Sequence, residues 1–454
     1  MVLAVINFCN CCKPQDDISQ LKKRCPKKYN LHQTILKMKK IILLFIFSIL
    51  TNLLFAQGKV EKGTIVIGKT DSIPSKILGE QRKIWVHVPN GANQKFPVVY
   101  LLDGGSHFSS VVGMIQQLST ANGNTMCPKM IVVGIPNTDR TRDLTPTSID
   151  PRFHTDPPMV TLADTTFYKT SGGGENFIAF IEKELMPHIE ANYPTAPYKM
   201  LIGHSFGGLA VMQTFVHHND LFNSYICIDP SMWWDKEKLL KETQKALAEK
   251  KFEGKSFYLG IANTLDEGMN IATVTKDTSG DSKHIRSILT LKAAFEKNKQ
   301  NGLKYRGTYY PDDTHGSAPL ITEYDALRFF FDFFPLKLTN KDFADSTGTI
   351  VTKYQNHFAQ ISQKMGYQIK PYMGEINSMG YDFLGRKIYK TAESFFKLNV
   401  ENYPESFYVY DSYGDYFIAI GDKANAIIQL KKALALKENE ISRKKLNELE
   451  NDKK

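Results

Sequence analysis

The chain has 454 residues, 42% of them hydrophobic and 23% charged, with six cysteines and a formal net charge of +10. That is enough chain for a large core and two domains, and too ordinary a composition for a disordered, collagen-like or disulfide-built protein. Seven of the ten net charges fall in residues 1–56, where nine Lys/Arg face two acids; no basic stripe interleaved with aromatics follows, which argues against nucleic acid as a partner.

Met38-Lys39-Lys40 opens an apolar run over 41–56 that ends on Ala56 before Gln57. A basic start, a short apolar stretch and a small residue at its end read as a secretory signal at 38–56, with a periplasmic or secreted mature chain and no stable membrane insertion after cleavage. Residues 1–37 are unusual ahead of a signal and read as an extension upstream of a start at Met38. Four cysteines (Cys9, Cys11, Cys12, Cys25) lie in that extension and lack paired metal-site spacing. Cys127 and Cys227 remain, and sequence leaves their pairing open.

From 83 to 336, apolar strand-like runs alternate with helical patterns. The strands are read at 83–89, 96–104, 129–137, 199–203, 224–230, 256–263 and 304–312; helices fall near 109–118, 175–191, 206–218, 235–250, 283–300 and 319–334. Central runs that are apolar throughout belong to strands covered on both faces. The expectation is a three-layer α/β domain over 57–338 with a mostly parallel sheet and its chemistry at the carboxyl ends of the strands. Residues 138–174 form a long polar insertion, the usual material of a lid or pocket wall. Residues 339–454 read as helices alone. There Gly380 and Ala392 recur as Gly414 and Ala426, a 34-residue period that resembles the tetratricopeptide repeat. Such a module would pack on the α/β domain, or serve a protein partner or dimer contact.

One motif carries chemistry. Gly203-His204-Ser205-Phe206-Gly207-Gly208 follows a buried strand and precedes a helical run. A serine forced onto a strained strand-to-helix turn needs neighbours without a Cβ, and the N–H groups opening that helix, Phe206 first, face a developing oxyanion. A second oxyanion donor is expected from Gly104 or Gly105 in LLDGGSHF (101–108). A serine nucleophile needs a base. Of the histidines downstream, His217 and His218 close the elbow helix and His284 opens another, whereas His315 sits just past the last strand, where the base belongs. The orienting acid is expected after the strand at 256–263; Asp266 is preferred over Glu267, with Asp277 and Asp281 further along, and failing these the site is a Ser–His dyad. Trp233 and Trp234 could stack on a flat aromatic or sugar substrate or pack in the core, and two adjacent Trp cannot share one face. Arg140 and Arg142 could bind a substrate anion or pair with Asp143. Neither a cofactor nor a metal site is indicated by the spacing.

VVYLLDGGSHF, RTRDLTP (140–146), GHSFGG, DPSMWWD (229–235) and DDTHGSAPL (312–320) occur in that order and resemble the esterase D / enterochelin esterase-like family of α/β-hydrolases over roughly 60–336. That family also holds feruloyl and acetyl-xylan esterases, S-formylglutathione hydrolase and mycolyltransferases. The resemblance implies Ser205 as nucleophile, His315 as base, Gly104 or Gly105 as oxyanion donor and Trp233 and Trp234 as pocket walls. It leans to the siderophore-esterase branch, while the C-terminal helices depart from it. The expected activity is hydrolysis of a small-molecule or glycan ester. The alternatives are an acyltransferase on the same serine and a non-catalytic scaffold using the helical repeats.

Overall fold

The computed structural model describes residues 63–91, 94–154 and 161–451; the signal segment at 38–56 and the extension before it lie outside them. Eight strands form one sheet: β1 (Lys69–Ser75), β2 (Glu80–His87), β3 (Phe96–Leu102), β4 (Ile131–Ile135), β5 (Thr195–His204), β6 (Ser224–Ile228), β7 (Ser256–Ala262) and β8 (Lys304–Tyr310). Their order is β1-β2-β4-β3-β5-β6-β7-β8. From β4 to β8 all neighbours run parallel, while β2 is antiparallel to both β1 and β4. β3, β4 and β6 are buried at every position, as strands covered on both faces must be. β1 was not legible as a strand. KTDSIPS is polar and alternates in burial only at its end, and its proline is tolerated because the strand lies at the sheet edge.

Alternation along the strands sorts the core into two layers. Val98, Tyr100 and Leu102 face one side with α3 (Gly174–Phe180, continuing through a π turn to Asn192), α4 (Phe206–His217), α5 (Trp234–Glu249) and α6 (Lys283–Lys297). Val99 and Leu101 face the other with α1 (Gly104–Ser119) and α7 (Ala318–Phe330). The insertion holds α2 (Arg140–Leu144) and two short helices, Pro151–His154 and Leu162–Tyr168. Among the described residues, Cys127 and Cys227 are buried and form no disulfide.

After a short helix, Asn340–Ala344, six more follow: α8 (Thr349–Met365), α9 (Met373–Gly385), α10 (Tyr389–Asn402), α11 (Phe407–Ala419), α12 (Lys423–Leu436) and α13 (Glu440–Asn451). The α9–α10 hairpin recurs as α11–α12 at an offset of 34 residues. Ala392 and Ala426 are both fully buried. A side chain at Gly380 would strike the Phe396 ring at 2.9 Å, and one at Gly414 would press on Leu430 at 3.1 Å, so the small residues let each hairpin close. These helices are not a separate body: Ile67–Lys454 form one compact unit, and Met365, Tyr367 and Ile369 pack into the core layer beneath α1 and α7. Among the described residues no helix is long and apolar enough to cross a membrane.

Candidate active site

The site is assembled where β3, β5, β6 and β8 end. Ser205 leaves β5 with φ 61° and ψ −113°, a strained conformation rarely held by a residue with a side chain. It is pinned there by its neighbours. Its N–H donates to Ile228 O at 3.0 Å, and its carbonyl accepts from Leu209 N at 2.9 Å and Ser231 N at 3.2 Å. Strand and helix pass so closely that a Cβ on Gly203 would lie 2.3 Å from Gly207 O. The Ser205 hydroxyl stands 3.5 Å from the hydroxyl of buried Ser231.

His315 lies in the turn between β8 and α7, a turn held by Thr314 N to Ser317 Oγ (3.0 Å) and Ser317 Oγ to Asp313 Oδ1 (2.8 Å). Its Nδ1 is 2.6 Å from Asp229 Oδ2. Asp229 follows β6 and is wholly buried. The acid that meets His315 is therefore Asp229, not Asp266. Asp266 stays in the loop after β7, where its carbonyl accepts from Met269 N, and neither it nor Glu267 bonds to the histidine. Asp277 and Asp281 lie elsewhere in that loop, and Asp277 holds Ser279. The local signal for Asp229 is an Asp-Pro directly after the buried apolar strand β6, one strand before the loop in which the acid is expected from sequence.

A second imidazole shares that carboxylate. His284 Nε2, at the start of α6, lies 2.9 Å from the same Asp229 Oδ2, while Oδ1 accepts from Ala262 N at 3.0 Å. Burial alone would raise the Asp229 carboxyl, but the hydrogen bonds from His284 and His315 outweigh it and hold the group well below the usual carboxylate range. Among the described residues, Asp229, His284 and His315 are also the one cluster whose atoms could converge on a metal, which sequence spacing had not indicated. Their 2.6 and 2.9 Å separations are those of hydrogen bonds; a zinc ion with bonds of about 2.0–2.1 Å at tetrahedral angles would need the three atoms further apart. His204 packs on His315, with ring centroids 4.3 Å apart. Desolvation, with His315 and His107 nearby, pushes His204 down to about 4, so a neutral ring flanks His315.

On the other side, Asp103 ends β3 with φ 52° and caps α1. A Cβ on Gly104 would fall 2.5 Å from Ile135 N, whereas Gly105 is open. The first N–H groups of α1 and of α4, at Gly104, Gly105 and Phe206, have no partner within their own helices. Arg140 grips Asp103 through Nε (2.7 Å) and Nη2 (2.9 Å), reaches His204 O at 3.2 Å, and lies over the Phe206 ring at 5.3 Å. Its carboxylate partner is thus Asp103 and not Asp143, and it ties the Asp103 turn to the elbow. Arg142 does pair with Asp143 (2.7 Å) and also with Glu80 (2.7 Å), inside a network completed by buried Arg82. The Arg142 bond holds Glu80 down to about 2. The two tryptophans divide as one face requires. Trp234 is buried and donates Nε1 to Thr147 Oγ1 at 3.1 Å; Trp233 is half-buried beside Phe206. The insertion adds Phe167, 53% exposed, with its ring 6.2 Å from Phe206. A cleft lined by Thr147, Gln213, His217, Trp234 and Glu242 shares no residue with the Ser205–His315–Asp229 group.

A parallel sheet with a strained serine on a strand-to-helix turn, and a histidine–carboxylate pair from later strand ends, is the α/β-hydrolase architecture. Residues 75–318 match the family described as "Putative esterase", more than half of the chain, and the protein belongs to it. It is 32% identical to the ferri-bacillibactin esterase of Bacillus subtilis over 156 residues, 33% of this chain and 52% of that protein. It is 26% identical to a siderophore enterobactin esterase of Emericella nidulans over 192 residues, 40% and 61% of the two chains. The chain thus spans about half the length of these curated relatives. An IroE-like serine hydrolase from Shewanella oneidensis superposes with a TM-score of 0.59 at 27% identity, covering 74% of this chain and 99% of that one.

Proposed function

We propose that the protein is a serine carboxylic-ester hydrolase acting on a siderophore-type ester through an acyl-enzyme. The observation that carries the reading is the 2.6 Å contact of His315 Nδ1 with fully buried Asp229, beside a serine held in a strained turn. Asp229 fixes the tautomer in which Nε2 of His315 is free to accept a proton. Ser205 Oγ attacks the ester carbonyl and gives its proton to His315. The tetrahedral oxyanion is met by the N–H of Phe206 and one from Gly104 or Gly105. The imidazolium then returns the proton to the leaving alcohol, and water releases the acid by the same route. Half-buried Trp233 and exposed Phe167, with rings 6.4 and 6.2 Å from that of Phe206, offer aromatic surface suited to an aryl acyl group. The relatives' names supply the siderophore assignment. We read 38–56 as a signal that exports the enzyme, and the C-terminal hairpins as a tetratricopeptide-like module.

The test is turnover of a ferric catecholate triester, feruloylated and acetylated sugars and an aryl ester by wild type, Ser205→Ala, Asp229→Asn and Asp266→Asn. Ser205→Ala should be inactive. Asp229→Asn should lose roughly 10³–10⁴-fold in kcat, by analogy with triad aspartates, and Asp266→Asn should match wild type. The reverse order for the two aspartates would remove Asp229 from the mechanism; preference for a sugar ester would replace the siderophore assignment.

A further inference from the structure

Asp229 Oδ2 serves two imidazoles. His315 reaches it from the β8–α7 turn at 2.6 Å and His284 from the start of α6 at 2.9 Å. The rings stand nearly perpendicular, 83° apart, with centroids separated by 5.4 Å. A carboxylate oxygen offers two lone-pair directions, and here both are taken, while Oδ1 is taken by Ala262 N. The carboxylate is therefore held by three donors from three segments of chain and has no freedom to rotate.

His284 is placed for this as firmly as the residues usually named in such a site. Its helix begins at Lys283 behind a fully buried Ser282. Arg286, one half-turn on, ties that start down through Ser282 Oγ at 2.7 Å and Ser279 O at 2.6 Å. The His284 carbonyl accepts from Ser287 Oγ at 2.7 Å. The side chain is 22% exposed and its partner carboxylate not at all, so the contact is not a surface ion pair that solvent would dissolve. Asp229 itself sits at φ 40°, off the regular strand, where its side chain depends on such contacts for its direction.

We propose that His284 is a positioning residue for the ester hydrolysis: it fixes the second lone pair of Asp229 Oδ2 so that the remaining one points at His315 Nδ1. The catalytic group is then Ser205–His315–Asp229 with His284 as a fourth, supporting member that never touches substrate. This rests on the serine-hydrolase reading above. Two variants separate hydrogen bonding from packing. His284→Phe keeps a ring and loses the donor; His284→Gln keeps a donor and loses the ring.

The experiment measures steady-state hydrolysis of a p-nitrophenyl ester, and the rate of inactivation by a fluorophosphonate, for wild type, Ser205→Ala and both variants of the full chain. By the scale on which a lost orienting partner acts, His284→Phe should lower kcat about ten- to a hundred-fold with KM nearly unchanged, and slow inactivation by the same factor. His284→Gln should recover most of both rates. His284→Phe at wild-type rates, His284→Gln as slow as His284→Phe, or a loss confined to KM would each overturn the role. Absence of Ser205-dependent turnover and labelling in wild type would instead remove the hydrolase reading, and the role of His284 with it.

Discussion

Glu323 is the sharpest test of how α7 is held against the sheet. It lies on the helix that follows the His315 turn, is 1% exposed, and both carboxylate oxygens are buried without a hydrogen-bond partner. Desolvation pushes its carboxyl up to about 8 from an ordinary 4.5. At neutral pH the folded protein keeps the proton that the unfolded chain has released, so the unfolded state binds fewer protons and stability falls as pH rises. The contribution is whole below about 4.5 and lost by the time pH passes about 8. At about 1.4 kcal/mol per pH step, that interval bounds the loss at roughly 5 kcal/mol. Glu323→Gln is nearly isosteric and cannot ionise. Thermal melts of wild type and Glu323→Gln across pH 4.5 to 8.5 should coincide at the acid end. They should diverge toward the alkaline end, with the variant higher by several degrees, at roughly 2 °C per kcal/mol for a chain of this size. Because α7 anchors the His315 turn, wild-type activity should also decline above pH 8 with a slope the variant lacks. Melting curves that stay parallel over the whole range would show that Glu323 ionises normally and that the burial argument is wrong.

Gly104→Ala places a methyl 2.5 Å from Ile135 N and 2.7 Å from Gly134 Cα. The α1 start must shift, and overpacking of this kind costs about 1–3 kcal/mol, so both melting temperature and kcat should fall, while Gly105→Ala, in open space, should leave the fold unchanged by circular dichroism and melting. Trp234→Ala should lose about 3–5 kcal/mol in a denaturant titration, as deletion of a buried aromatic does. Trp233→Ala should instead raise KM for aryl esters while its melting curve stays near wild type, because its ring is only half-buried. If the two exchange phenotypes, the pocket wall has been assigned to the wrong ring.

Sequence was most informative where burial is two-sided. A run such as FPVVYLL is apolar at every position because β3 has helices on both faces, and β4, β6 and β7 show the same signal, whereas β2 alternates and the edge strand β8 is mostly half-buried. The elbow was legible because glycine at 203, 207 and 208 is a steric requirement written into the chain. What was not legible depends on approach between distant segments. Nothing local in SKHIRSIL shows that His284 meets a carboxylate 55 residues earlier, and nothing in RTRDL distinguishes Arg140, which clamps Asp103, from Arg142, which joins Glu80 and Asp143. Adjacent residues on one helical turn point in different directions, and their partners are fixed only when the sheet is assembled.

The displacement of the acid from the β7 loop to the end of β6 has a geometric cause. β6 lies between β5, which carries Ser205, and β7, and His315 comes from beyond β8. An acid on β6 must therefore lean across β7 to reach His315. Asp229 does so by leaving the strand at positive φ, with its N–H donated to Gly260 O and its Oδ1 accepting from Ala262 N, both on β7. The β7 backbone thus does the anchoring that a β7 side chain would otherwise do. Gly260 also lets α7 close on β7, since a Cβ there would sit 2.1 Å from Thr322 Oγ1. With His315 met by Asp229 in this way, Asp266 and Glu267 make no hydrogen bond to it. The direction of the Asp229 carboxylate then depends on His284, the one side-chain donor to it besides His315 among the described residues.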